Sequence, residues 1–312
     1  MRFFTERKRP GWLALGTTNR GACVAHVAGM RSGKPAVQLC ELRPEMLSDA
    51  AGARSLVNRF ELAMRHCALL LNVHEYQLLQ VEAPAVPEAE LKQAVRWKLK
   101  DMIDYPVEQA TLDVLDIPGD ASSPARVRYV HAVAARSGLI RDYMERLMVH
   151  GGAALEAIDI PEMAQRNVAA RLEESGHGLA MLSFSDDGGL LTFTAGGELF
   201  YARQIETGLP QLMVDDEERR SQTFDRVALE LQRSLDSFER QFPHVGVNRL
   251  LLAPFPARAE FREFLASYLG LRVETFDLAD VFDFGSVAAP DGLDVQAQMF
   301  GVLGAALRGC AA

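Results

Sequence analysis

Hydrophobic and polar positions alternate in short blocks, broken by turn residues, at two places along the chain. Trp12–Thr17, Cys23–Met30 and Ala36–Leu42 predict three strands, separated by the clusters Asn19-Arg20-Gly21 and Arg31-Ser32-Gly33-Lys34-Pro35. The pattern returns about 165 residues later. There Gly178–Ser185, Leu190–Thr194 and Leu199–Ile205 predict strands around the turns Asp186-Asp187-Gly188-Gly189 and Gly196-Gly197. A block of this kind repeated at half the chain length predicts a duplicated α/β domain, each half opened by an antiparallel meander.

Helical periodicity follows each meander. Asp49–His66 carries Leu56, Phe60, Ala63 and Met64 at helical spacing. Thr223–Phe242 places Phe224, Val227, Ala228, Leu231, Leu235, Phe238 and Phe242 on one stripe, which predicts a long amphipathic helix with that stripe in the core. A strand at Arg249–Leu252, a helix at Glu260–Leu269, a strand at Arg272–Phe276 and a Gly- and Ala-rich closing helix at Val295–Leu307 complete the second half. The first half carries extra elements: strands at Val73–Val81, Ala110–Ile117 and Val127–Ala134, helices at Glu88–Ile103 and Gly138–Val149, and a hairpin loop at 118–124. Together they predict a small α+β insert.

Composition narrows the class. The 312 residues are 48% hydrophobic and 24% charged, with a net charge of −9. That much apolar surface excludes disorder as the main state, and the acidic balance opposes general nucleic-acid binding. Nothing approaches the roughly 18 consecutive apolar residues of a membrane span. The four cysteines (Cys23, Cys40, Cys67, Cys310) show no CxxC and no metal spacing. Three lie in apolar stretches and read as small buried hydrophobes. The expectation is a cytosolic, reduced protein without a structural metal. The first nine residues hold four bases, one acid and two phenylalanines, which reads as a solvated tail or as a segment drawn to anionic lipid.

Glu90–Pro118, ELKQAVRWKLKDMIDYPVEQATLDVLDIP, resembles the type IV pilus assembly protein PilM family, most closely its MSHA-pilus branch, MshI. The stretches Ile158–Asn167, Glu230–Phe238 and Gly304–Arg308 are similar to the same family in the same order. The resemblance implies a two-lobed, actin-like (duplicated ribonuclease H-like) α/β fold with a small α+β subdomain inserted in lobe one. On that reading residues 1–10 are a basic tail, 11–175 form lobe one with the insert at about 70–150, and 176–312 form lobe two, closed by helix 295–307. It also implies a cytoplasmic scaffold, peripheral to the inner membrane through its partners. Those partners would be other pilus platform proteins and the cytosolic N-terminal tail of a single-span, PilN-like protein. Self-association stays open.

Actin-like folds bind ATP between the lobes. Backbone amides in Gly-rich turns hold phosphates, and a carboxylate organises the magnesium shell. The family's first Asp-x-Gly falls on Ala14-Leu15-Gly16, which keeps the glycine and lacks the carboxylate. The second falls on Ser183-Phe184-Ser185, which lacks both, and Asp186 and Asp187 follow where they would repel phosphate. The adenosine-side turn falls on Ala253-Pro254-Phe255-Pro256, whose prolines remove amide donors. The expectation is no enzyme activity, no cofactor, and degenerate nucleotide positions at Ala14, Gly16, Ser183 and Ser185. The competing class is a nucleotide-binding switch or ATPase of the actin-like superfamily.

Other motifs have simpler readings. Gly29–Lys34 imitates a phosphate-binding loop but lacks its first glycine and the hydroxyl after the lysine, so it reads as a hairpin turn. His74-Glu75 lacks a second histidine. The run Asp215–Glu218 suits the positive end of the long helix that follows. Trp97 is the residue that does not fit a core. Leu91, Val95, Leu99 and Met102 define the stripe of helix 88–103, and Trp97 falls roughly 150° off it, between Arg96 and Lys98. Trp97 and Arg96 are therefore partner-binding candidates, the alternative being that Trp97 packs against lobe one.

Overall fold

The computed structural model describes residues 8–119 and 127–310. The first meander is β1 (Arg9–Thr18), β2 (Gly21–Arg31) and β3 (Lys34–Arg43). The turn joining β2 to β3 is Ser32-Gly33, both at positive φ (53° and 81°). That is the two-residue geometry that matches strand twist in a hairpin, and it accounts for the imitation phosphate loop. Helix α1 (Ala50–Arg59) is capped by Asp49, whose carboxylate accepts from the amides of Ala51 and Gly52.

The helix expected to run to His66 stops at Arg59. Glu61 takes a left-handed conformation (φ 53°), and the chain enters a strand, β4 (Arg65–Leu70), that the periodicity did not reveal. The insert begins with β5 (Tyr76–Glu82) and α2 (Glu88–Lys98). It continues with β6 (Ala110–Asp116) and β7 (Tyr129–Arg136), and most of the predicted hairpin loop at 118–124 lies outside the described residues. Next come α3 (Ser137–Met144), β8 (Leu155–Asp159) and α4 (Pro161–Ala169). Strand β8 was also unforeseen.

The second half runs β9 (Gly178–Ser185), β10 (Gly188–Ala195), β11 (Glu198–Ile205), α5 (Leu209–Leu212), α6 (Glu217–Gln241), β12 (Val247–Leu252), α7 (Arg258–Tyr268), β13 (Arg272–Thr275), α8 (Leu278–Val281) and α9 (Leu293–Ala306). Helix α6 starts six residues before the predicted Thr223, and its N-cap Asp216 accepts from the Arg219 amide at 2.8 Å. The acidic run thus serves the helix end.

The two main sheets repeat one order, β3-β2-β1-β4-β8 and β11-β10-β9-β12-β13. In each, an antiparallel meander continues into two parallel strands. The insert adds the antiparallel sheet β5-β7-β6. One face of β7, Val130, Ala132 and Ala134, packs with Leu91 and Val95 of α2 and with Leu99 just after it. Helix α3, expected within the insert, instead places Ile140 and Tyr143 in the core of lobe one with Leu13 and Leu56. Helices α4 and α9 cross between the lobes, where Ala164, Val168, Leu303 and Ala305 join Ala14 and Ala25 of one sheet to Leu179 and Met181 of the other. Phe282 and Phe284 join this core, and Asp283 bridges to Ala36 of β3, so this segment returns to lobe one.

The reading of Met102 as part of the buried stripe fails: it is exposed, and Ile103 is buried in its place because the helix tightens to a 3₁₀ turn at Leu99–Asp101. Cys23 and Cys67 are buried, and burial pushes both thiols up to about 12, which leaves them inert. Cys40 is only half-buried, at the edge of the core. Of the basic tail, residues 1–7 lie outside the described part. Arg9 and Pro10 already belong to β1, Lys8 pairs with Glu156 and Arg9 with Glu61, so two of the four bases are engaged by the protein itself.

Candidate functional site

The repeated sheets leave a cavity of about 240 Å³ between the lobes. It is bounded by the β1–β2 turn on one side, the β9–β10 turn on the other, and α4 and α9 at its floor. These are the places where the family resemblance expects nucleotide phosphates. Ala14 is fully buried and paired with Ala25, with its methyl in the interlobe core. Gly16 faces α9, and a Cβ there would lie 2.9 Å from Cγ1 of Val302. The glycine is needed for helix packing whether or not a phosphate is bound. In the first turn, Thr18 Oγ1 donates to Gly21 O and accepts from the Arg20 amide, both at 3.2 Å. Asn72 Nδ2 donates to Thr17 Oγ1 at 2.8 Å.

The second turn behaves alike. Ser183 Oγ donates to Gln165 Oε1 at 2.5 Å. Gln165 is completely buried, and its Nε2 is within reach of Met181 O, Leu190 O and Thr192 Oγ1. Helix α4 is thereby stitched to the sheet of lobe two. Ser185 Oγ donates to Gly188 O at 3.2 Å and accepts from the Asp187 amide at 3.3 Å. One amide in each turn, that of Arg20 and that of Asp187, is thus bonded to a neighbouring hydroxyl. Pro254 lines the cavity, and neither it nor Pro256 has an amide to offer. Among the described residues no group of three or more His, Cys, Asp or Glu is placed to hold a metal ion.

Two carboxyl groups behind this cavity escaped the sequence reading. Glu162, at the start of α4, is 1% exposed. Tyr76 of the insert donates to its Oε2 at 2.5 Å, and Gln204 of lobe two lies 3.4 Å from its Oε1. Burial raises the Glu162 carboxyl and holds the Tyr76 hydroxyl well above its ordinary range. Asp159 accepts from Arg308 Nη1 and the Ile160 amide, both at 3.0 Å, and burial still lifts its carboxyl above the ordinary range. Insert, interlobe helix, lobe two and the turn that follows α9 therefore meet around two buried carboxyl groups. The signal in the sequence was two acids within the apolar stretch Ile158–Ala164.

The surface candidates separate. Trp97 is 63% exposed, so it does not pack against lobe one. Arg96 turns inward, and its Nη1 donates to Val107 O at 2.8 Å and Ala110 O at 3.0 Å. It ties α2 to the segment before β6 and is spent on the fold. Lys98 likewise donates to Glu82 O at 2.9 Å. Trp97 is left as an exposed aromatic side chain on that helix.

No family model and no curated protein matches the chain. Solved structures do. A chain of a PilM–PilN type IV pilus biogenesis complex superposes with a TM-score of 0.75 at 19% identity, over 97% of this chain and 100% of that one. A Bacteroides thetaiotaomicron protein with an actin-like ATPase fold and unknown function gives a TM-score of 0.51 at 10% identity, over 96% and 98%. The repeated sheet order, the crossing helices and these superpositions give one conclusion: the chain has the two-lobed, actin-like fold.

Proposed function

We propose that the protein is a non-enzymatic scaffold of a type IV, MSHA-like pilus assembly platform. It holds the cytosolic N-terminal tail of a PilN-like, single-span inner-membrane protein, in a groove between lobe one and the insert. Attachment to the membrane runs through that partner; among the described residues no helix is long and apolar enough to cross a membrane.

The observation that carries this reading is the end-to-end superposition on a PilM–PilN chain, which leaves almost no part of either chain unmatched. The chemistry of the cleft supports the non-enzymatic part: Ala14 stands where a metal-organising carboxylate is expected, and one amide in each turn is already bonded to a neighbouring hydroxyl. Trp97 supports the partner-binding part, since a tryptophan exposed beside an otherwise committed helix face is the kind of side chain that anchors interfaces.

Calorimetry with Mg-ATP and a phosphate-release assay test the first part. The expected result is no binding heat and no turnover. ATPase activity that disappears on Asp186→Ala would overturn it. For the second part, synthetic peptides matching the N-terminal tails of bitopic pilus proteins are titrated into the full chain. A tail that binds the wild type and binds Trp97→Ala at least tenfold more weakly is expected, and equal affinity for both would remove Trp97 from the interface.

A further inference from the structure

The insert reaches across to the other lobe. Its sheet turns one face to α2. The opposite face carries Leu78 and Gln80 of β5 beside Val133 and His131 of β7, in register. One end of that face is rooted in lobe one, where Tyr76 and Ala135 belong to the core and Leu78 and Val133 pack on it. The other end lies on lobe two. Ile117, just after β6, is buried in that lobe's core, and Tyr129, the first residue of β7, packs against the same cluster. The insert thus spans both lobes as a clasp, held at each end by apolar contact.

The stretch beside the lobe-two end is poorly satisfied. His131 is 3% exposed, and neither of its ring nitrogens has a hydrogen-bond partner. Directly across the ladder, Gln80 is half-buried, with its Nε2 shut away and also unpaired. On the other side His131 faces Leu115, which offers only carbon. From lobe two, the carbonyls of Leu199 and Phe200 act on the ring without reaching hydrogen-bond geometry. These two residues lie on the edge strand β11 at a bulge, where the register against β10 slips between Phe193 and Thr194. Buried polar groups left unpaired cost the state that buries them, and water satisfies all three nitrogens once the seam opens. At the rooted end, by contrast, the Tyr76 hydroxyl is bonded to Glu162.

We propose that the insert is a releasable clasp, whose far end lets go of lobe two at the seam around His131 and Gln80 while its root and both lobes stay folded. Release uncovers the bulged edge of β11 and the Ile117–Tyr129 end of the insert, surfaces hidden in the closed chain. Acid favours release. Burial pulls the His131 ring down to about 4 from an ordinary 6.5. The stability that the closed seam draws from a neutral ring is therefore present above 6.5 and is lost as pH falls toward 4. The other ionisable groups around the ring are Glu82 of β5, Tyr129 of β7, Asp113 of β6, Glu198 of β11, and His244, whose ring lies against Phe200. Glu162 at the root acts with the opposite sign. The clasp does not rest on the pilus reading and would operate in a protein of another role with the same seam.

Ile117→Cys gives the closed seam a thiol that reports its opening, and the native Cys67, sealed in the core of lobe one, reports unfolding of the whole chain. Both are labelled in the full chain with a dipyridyl disulfide and read by mass spectrometry, each rate divided by its rate in denaturant at the same pH. The introduced thiol is expected to react at least tenfold faster than Cys67. Adding His131→Leu, which lines the seam with carbon, should slow it at least tenfold, and adding Gln80→Leu should slow it as well. Going from pH 7.5 to 5.0 should raise the rate at least tenfold more with His131 in place than with His131→Leu, because every other ionisable group is common to both. If His131→Leu does not fold, the comparison with Cys67 and the Gln80→Leu variant decide. The proposal is overturned if the introduced thiol reacts no faster than Cys67, if either substitution leaves its rate unchanged, or if acid acts equally with and without His131.

Discussion

Lobe one and lobe two repeat the same sheet order and fill it with different side chains. Lobe two is built on rings: Phe184, Phe193, Phe238, Phe255 and Phe261 are all buried, with Phe193 and Phe238 stacked at 4.4 Å between centroids. Lobe one uses aliphatic residues such as Leu13, Leu15, Leu56, Leu62 and Leu69. The surface where the lobes meet mixes rings and aliphatic residues with a set of alanines at the helix crossing. Ala14, Ala25, Ala164 and Ala305 let the backbones of α4 and α9 approach each other and both sheets. A Cβ on Gly304 would lie 2.3 Å from the Ala164 carbonyl oxygen, and Asn167 donates to the Gly304 carbonyl at 3.0 Å. The difference teaches where the fold has slack: a packed lobe can lose atoms at a finite cost, whereas the interlobe crossing has no room to gain one.

The sharpest way to break that comparison is Gly304→Val. The neighbouring atom is backbone and cannot rotate away, so the penalty should exceed the roughly 4–5 kcal/mol that marks exceptional substitutions. Circular dichroism of the purified variant should show no cooperative native transition. Next, Phe238→Ala removes a fully buried ring from lobe two and should cost about 3–5 kcal/mol by urea unfolding, leaving the chain folded but weakened. A Gly304→Val protein more stable than Phe238→Ala would invert the comparison.

A smaller effect sits at the two buried carboxyl groups. Burial holds the Glu162 carboxyl above its ordinary value of 4.5, so the folded chain keeps this proton to higher pH than the unfolded chain does. The stability it contributes is fully present below about 4.5 and is lost as pH rises through the folded value. Asp159 acts with the same sign. Glu162→Gln should therefore flatten the decline of melting temperature between pH 4.5 and neutrality, whereas a curve parallel to the wild type would show the carboxyl to be unperturbed. The smallest effect belongs to Trp97→Ala. With an exposed side chain it should change stability by no more than about 0.5 kcal/mol, so any loss of partner affinity in this variant reports on the interface.

Much of the fold was legible because its elements carry strong local patterns. Both meanders alternate between explicit turns, and the stripe of α6 runs from Phe224 to Phe238. What was hidden carries no alternation to read: the core of β4 is buried on both faces, and β8 is a five-residue, half-buried edge strand. Strands β4 and β8 lie next to each other in the middle and edge of a parallel ladder, and Cys67-Ala68-Leu69-Leu70 is a plain apolar run that merges with the helical spacing before it. The site was legible only where local chemistry sufficed. Off-stripe spacing separated Trp97 from the core, but it could not show that Arg96 would curl back to two carbonyls. Glu162 acquires its meaning from Tyr76 and Gln204, residues 86 and 42 positions away.

On the proposed reading, this actin-like chain works as a partner-binding scaffold without nucleotide. The most direct test of that reading is affinity purification of the full chain from detergent-solubilised membranes of its own cells, with and without Mg-ATP, for wild type and Trp97→Ala. The account predicts recovery of a single-span inner-membrane protein with a short cytosolic N-terminal tail, unchanged by nucleotide and reduced at least tenfold by the substitution. Recovery of no membrane protein, or recovery that appears only with Mg-ATP, would contradict it.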